Sequence, residues 1–257
     1  MYREYPPPPH LRDSVECFWT SRAESRGPHR VYPDGCMDLM YSREGGKSRL
    51  EGIGAMTRFA DAEAEPGTEI FAVRFRPAGL LLPLPAEELR DAAADWFAVH
   101  PGDARLLKSR LDNSEDAAQM IEVCAAVIPP PKLDPVQKAI AELERQHGVL
   151  DLDWLARQTS LGERQFRRLC LARTGLAPKQ LARVLRFRRA LNALRQARRG
   201  GLTALALECG YYDQAHFIHD FRALAGTSPV RFLQSSSHKG GLPSDHENHS
   251  SSHDGPD

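Results

Sequence analysis

Apolar positions change their period part-way along the chain. Residues 15–20, 30–32, 36–41 and 70–75 are short apolar runs set off by Gly, Pro and charged clusters, a pattern that predicts strands. After Pro77 the spacing lengthens to three and four residues. It predicts helices over 103–111 and 114–127, with Ala118, Ile121, Ala125 and Ile128 on one stripe of the second. Pro129, Pro130 and Pro131 cannot continue a helix and mark a semi-rigid linker.

Beyond the linker the pattern is helical throughout. Asp134 caps a helix opening on Pro135, with Val136, Ile140 and Leu143 on one face and His147-Gly148 as its stop. Asp151 caps Leu152–Gln158, whose Leu155 and Ala156 face inward. Its partner Glu163–Thr174 buries Phe166, Leu169 and Cys170 and ends at Gly175. A long helix over 178–196 turns Leu181, Leu185, Leu191 and Leu194 inward, and a basic loop over 197–201 follows. The two-helix pattern then returns. Thr203 is the expected cap, Leu205-Ala206 repeat Leu155-Ala156, and Asp213 caps a second partner helix over 214–223. Two such pairs in tandem read as two helix-turn-helix units.

The predicted fold class is therefore an α+β N-terminal domain followed by an all-α C-terminal domain, its two helix-turn-helix subdomains joined by a long helix. The expected division is 1–128, a linker at 129–133, 134–234, and a disordered tail over 235–257, which has almost no apolar residues. Four histidines lie in that tail, His238, His246, His249 and His253; their irregular spacing favours solvated filler over a metal site. Five scattered cysteines without a CxxC suggest neither a disulfide framework nor a zinc ribbon. No apolar leader or membrane-length run is visible, so a cytoplasmic protein is expected.

The zero net charge of the 257 residues conceals an asymmetry. Residues 132–234 hold 18 Lys and Arg against 9 Asp and Glu, while residues 1–131 hold 15 against 21. The positive field lies on the helix pairs, which points to nucleic acid. On the first partner helix the positions free of the core are Glu163, Arg164, Gln165, Arg167 and Arg168. The three arginines share a face, where a guanidinium fork suits guanine in the major groove. Arg168 could instead pair with Asp153 or a phosphate. On the second, Gln214, Ala215, Ile218, His219 and Arg222 are free and His216 is less clear; Gln suits adenine, and Ala or Ile a thymine methyl. Phe217 and Phe221 belong to the core, and Tyr211-Tyr212 to the turn. Arg186, Arg188, Arg189, Arg198 and Arg199 are expected to touch phosphates or stay solvated.

The run from Ala206 to Phe232, ALECGYYDQAHFIHDFRALAGTSPVRF, resembles the ending of the DNA-binding domain of the AraC/XylS family of bacterial transcription regulators. The resemblance covers residues 134–233 and implies two helix-turn-helix subdomains in adjacent major-groove segments of double-stranded DNA. By position it implies Arg164, Arg167 and Arg168, then Gln214, Ala215, Ile218 and His219, as base readers. The family usually begins its first reading helix with Ser; this chain has Gly162 there, a weaker cap. More loosely, VECFW, PDGCMDL, GAMT and VRFRPAG in the first half are similar to a domain of unknown function that precedes this module in some such regulators. That likeness implies a sensory or dimerising role.

Other chemistry in the first half stays open. Pro33-Asp34-Gly35-Cys36 reads as a β-turn, ahead of a metal or nucleophile site, with Cys17 and Cys36 as buried small residues. Arg74 and Arg76 lie on one side of a strand and either hold an anionic effector or pair with Asp34 or Asp38. Trp19, Tyr32, Phe71 and Phe75 either line a small-molecule cavity or fill the core. Arg74, Arg76, Trp19 and Asp34 are thus the candidate effector residues. The functional expectation is a sequence-specific transcription regulator, not an enzyme and without a cofactor, modulated by a small molecule and open to homodimerisation. The alternatives are a regulator whose Cys36 or Cys17 accepts an alkyl group, and a DNA-binding protein with no effector.

Overall fold

On a half-buried pleat, alternate side chains share a face, and the apolar runs of the first half exploit this. The computed structural model describes residues 1–131, 133–196 and 201–236. Its strands are β1 (Tyr2–Tyr5), β2 (Val15–Arg22), β3 (His29–Val31), β4 (Met37–Glu44), β5 (Lys47–Ile53), β6 (Ala60–Ala62), β7 (Glu69–Phe75) and β8 (Ala93–Asp95). Six of them form an antiparallel sheet in the order β1-β2-β7-β4-β5-β8, and β3 pairs with β6 separately. The register sets Phe18 and Leu39 on either side of Val73, and Tyr41 opposite Phe71, so one face is continuously apolar.

Three helices complete the N-terminal region: α1 (Trp96–Val99), α2 (Ala104–Asp112) and α3 (Ala117–Val127). Leu107 and Leu111 of α2 and Met120 and Cys124 of α3 join the core of the sheet. Arg43 fastens the end of α2 to β4, donating to the carbonyls of Leu111 and Asp112 at 2.8 and 2.9 Å. The expected stripe of α3 is corrected at Ala118, which is exposed: Ile121, Ala125 and Ile128 are partly buried against the core, and the fully buried line runs through Met120 and Cys124. In so uniformly apolar a helix, the bulkier side chains decide which way it turns. β1, β5, β6 and β8 lie outside the predicted runs. β5 is mostly polar and takes its strand form from the ladder with β4.

The helical region contains α4 (Pro135–Arg145), α5 (Leu152–Gln158), α6 (Glu163–Thr174), α7 (Pro178–Arg195), α8 (Leu202–Glu208), α9 (Gln214–Ala225) and α10 (Pro229–Ser236). The capping logic of the sequence is reproduced at Asp134, Asp151 and Asp213, each accepting from amides of the first turn. Gly175 and Gly226, both at positive φ, end α6 and α9. Thr203 is corrected: Gly201 occupies the cap of α8 and Thr203 sits inside it. α9 runs two residues beyond the expected end. α10 takes in Ser235 and Ser236, the first two residues assigned to the tail; the rest of that segment, with its histidines, lies outside the described residues, as do Arg198 and Arg199. α7 is the shared strut: Leu181, Leu185, Phe187, Leu191 and Leu194 are all buried, and it packs against α4 and α6 on one side and α8, α9 and α10 on the other.

The two halves share a seam along α7. The turn at Pro33-Asp34-Gly35-Cys36 forms as expected: the Asp34 carboxylate accepts from the Cys36 amide at 2.8 Å, and Gly35 takes φ +86°. Gly35 approaches α7 so closely that a Cβ there would lie 3.2 Å from Leu181. Beside it, Tyr32 packs edge-on to Phe232 at 5.9 Å. Glu16 of β2 and Arg188 of α7 form a buried ion pair, and Cys36 donates to Glu16 at 3.1 Å. Losing one partner would strand the other charge, at about 3–5 kcal/mol. Arg76 reaches Glu144 of α4 at 2.9 Å, and Gln137 donates to the Ala78 carbonyl at 3.1 Å.

Candidate nucleic-acid interface

Each reading helix is oriented by what it buries. In α6, Phe166 and Cys170 turn into the core, and Thr174 bonds back to the Cys170 and Leu176 carbonyls at 2.8 and 2.9 Å. With that face fixed, 3.6-residue geometry sends Arg164, Gln165, Arg167 and Arg168 outward. All four are exposed, and none forms an ion pair among the described residues. Arg168 makes no pair with Asp153. Three uncompensated guanidiniums on one free helical face form a local positive field with forked donors.

In α9 the buried side is aromatic: Phe217 and Phe221 are fully enclosed, stacked at tilted angles with Tyr211 and Phe187. Ala215 and His219 are exposed, while Gln214 and Ile218 are half-buried. Gln214 is held from behind, its side-chain oxygen accepting from the Thr203 hydroxyl at 2.6 Å. His216 packs edge-on to Tyr211 at 5.3 Å, and its Nε2 lies 3.7 Å from Asp220. Only Tyr211 packs the turn; Tyr212 is 87% exposed. Asp220 is buried and takes a 2.9 Å bond from Arg183 of α7, which ties the second reading helix to the strut.

Two arginines expected to touch phosphates or stay solvated turn inward instead. Arg188 is committed to Glu16, and Arg186 donates to the Gly148 carbonyl at 3.2 Å with its guanidinium over Tyr211. The apolar neighbours of α7 leave these long stems no other course. The first-half candidates are likewise engaged. Arg74 lies 3.3 Å from Asp38 and 3.5 Å from Asp34, beside the Trp19 ring, and Arg76 is spent on Glu144. Burial pushes the Cys17 and Cys36 thiols upward, which disfavours their thiolates. Among the described residues no group of three or more His, Cys, Asp or Glu is placed to hold a metal, and no helix is long and apolar enough to cross a membrane.

The family model for a helix-turn-helix domain matches residues 155–235, which is the stretch from α5 to the end of α10. These residues match a helix-turn-helix domain. Ahead of it, residues 3–95 match a domain of unknown function, DUF6597. No curated protein matches the chain. Among solved structures, the chain is similar to the DNA-binding domain of AdpA, a global transcriptional factor in complex with a target DNA, at 24% identity and a TM-score of 0.38, over 41% of this chain and 96% of that one. A transcriptional regulator with an AraC-type DNA-binding domain from Chromobacterium violaceum gives 24% and 0.37 over 42% and 95%. ToxT from Vibrio cholerae gives 8% and 0.44 over 91% and 98%.

Sequence reasoning missed Glu16, Asp220 and Phe59, whose amide donates to the Leu224 carbonyl of α9 at 2.9 Å. Asp220 had a readable signal, an acid on the apolar side of α9 opposite a basic strut. Glu16 and Phe59 had none, because their roles arise from contacts between the halves.

Proposed function

We propose that the chain is a sequence-specific, DNA-binding transcription regulator acting in the cytoplasm. The observation that carries this reading is the pair of matched bihelical units whose tips are the exposed Arg164, Gln165, Arg167 and Arg168 on α6 and, on α9, the exposed Ala215 and His219 beside the half-buried Gln214 and Ile218. Side chains of these types match the donor and acceptor pattern of base edges in the major groove. The match of residues 155–235 to a helix-turn-helix family supports the same reading.

The working division is a regulatory module over 1–128, a linker at 129–133, a DNA-binding module from 134 to the end of α10 at Ser236, and a tail beyond it. The first module senses a small molecule, joins two copies, or does both. An anion at Arg74 would have to displace Asp34 and Asp38, and Arg76 is held by Glu144, so Trp19, Asp34, Arg74 and Arg76 are poorly suited as a free effector site. Control then acts as a population shift, limited by the effector's differential affinity for two arrangements of the halves.

Fluorescence anisotropy on duplexes from the region upstream of its own gene, with scrambled duplexes alongside, tests the reading. Preferential binding to an upstream duplex at moderate salt is the expected result. Equal affinity for every duplex would remove the assignment.

A further inference from the structure

Two reading helices joined by a single strut need a second contact to hold their angle. α7 has 18 residues, a length of about 27 Å at 1.5 Å per residue, and helices of that length are rarely straight. The turns of the two units supply the contact. After α4 the chain passes through His147 and Gly148, both at positive φ, and presents Val149 to the second unit. Gly210, at φ +80° in the turn between α8 and α9, lies so near that a Cβ on it would stand 2.3 Å from Val149 Cγ2. The two turns can close this far because one of them has no side chain there. Gly148 is as tightly seated on the strut, since a Cβ on it would stand 2.1 Å from the Ala182 carbonyl of α7. Arg186 completes the joint. From α7 it donates to the Gly148 carbonyl at 3.2 Å, and its guanidinium lies 5.8 Å from the centre of the Tyr211 ring. One side chain thus ties the strut to the entry turn of the first unit and to the inner turn of the second.

The place of the joint gives it leverage over the readers. Val149 lies just ahead of Asp151, which caps α5, and Gly210 just ahead of Asp213, which caps α9. The contact therefore acts at the start of α9, beside Gln214 and Ala215, and not at its far end. We propose that Val149, Gly210 and Arg186 form a latch that fixes the phase between α6 and α9, so that the chain discriminates DNA sites by the number of base pairs between its two contacted segments as well as by their sequence. This rests on the regulator reading. One inserted base pair moves the second segment by about 3.4 Å along the duplex axis and about 34° around it, a step that a loosened pair of readers can follow and a latched pair cannot. Val149, Gly210 and Arg186 are positioning residues here and touch no base.

Two measurements on the full chain test the latch. All five native cysteines are buried, so nitroxide labels go to Glu163→Cys on α6 and Ala223→Cys on α9, and double electron–electron resonance reads the distance between them. A single narrow distribution is expected, and Val149→Ala with Arg186→Met should broaden it by about twofold; the second change keeps the apolar stem and removes the donor. Should that double variant fail to fold, Val149→Ala alone carries the same test, at a side chain 42% exposed. An unchanged width in a folded variant overturns the latch whatever the DNA shows. For function, duplexes selected by the parent from a randomised pool are rebuilt with one or two base pairs inserted between the two protected segments, and anisotropy at fixed salt reads each. The parent should lose roughly tenfold per insertion and the loosened variant less than about threefold, with the uninterrupted duplex held nearly as tightly by both. An insertion penalty equal in parent and variant, or a uniform weakening on every duplex, overturns the spacing role. If selection yields no preferred duplex, the regulator reading falls and the spacing role with it, while the distance distribution still decides the latch.

Discussion

The two bihelical units share a scaffold and differ at their tips. Each places a Leu-Ala pair at the inner face of its first helix, buries an aromatic in its second, and stops on a left-handed glycine against the N-terminal half. The first offers three free arginines from α6; the second offers Gln214, Ala215 and His219 from α9, beside a half-buried Ile218. Their starts differ as well. α9 begins on Asp213, whose carboxylate occupies the His216 amide, whereas α6 begins on Gly162 with no side-chain cap. No side chain takes an amide of the first turn of α6, where the Gln165 amide donates to the Gly162 carbonyl at 2.9 Å instead. Packing is spent alike in both units, so any division of labour between them lies in tip chemistry: charge and forked donors in one, shape and a single amide in the other.

The largest effect should separate the tips. Arg164→Ala is expected to lower affinity for a specific duplex by about 1–3 kcal/mol, a fall of roughly 5- to 150-fold, with a much smaller change on scrambled DNA; anisotropy titrations at fixed salt read both. Gln214→Ala should cost about 1 kcal/mol on the same duplex, and an equal or larger loss would reverse the ranking of the two readers. Next come the glycine ends. Gly226→Ala must adopt positive φ and push Phe59 aside, and should destabilise the chain by about 2 kcal/mol in a denaturant titration, more than Gly175→Ala, which meets only the Ala86 carbonyl. Equal losses would mean that both helix ends are held alike.

Smaller effects concern the caps and the support of Gln214. Asp213→Ala should cost about 1 kcal/mol, while Gly162→Ser should add a few tenths, both seen as shifts in thermal midpoint. Thr203→Val removes the hydroxyl behind Gln214 and should leave stability within about 0.5 kcal/mol while weakening specific binding by less than Gln214→Ala does. A Thr203→Val variant indistinguishable from the parent in discrimination would show that Gln214 needs no such support.

Where an element's identity depended on its own residues, the sequence was readable. Asp134 with Pro135, Asp151, and Asp213 mark helix starts by chemistry that acts within one turn, and Gly175 and Gly226 mark ends in the same way. The inward and outward positions of α6 followed from period alone. Thr203 misled because Thr is a good cap, yet Gly201 two residues earlier already had the extended backbone the cap requires. β5 was hidden because its ladder partner, rather than its composition, makes it a strand. Arg186 and Arg188 were read as surface cations because a basic helix with solvent on one side looks the same, in one dimension, as a strut enclosed on both.

The seam along α7 bears on any attempt at domain exchange. A chimera that joined this helical half to another front half would inherit an arginine deprived of Glu16 and a greasy strip shaped for Gly35 and Tyr32. Cutting at the prolines would leave the same strip wet, inviting clumping in a truncated preparation. The apparent modularity of the chain therefore stops at the backbone: a graft succeeds only if the incoming surface brings its own glutamate, a glycine turn and a ring.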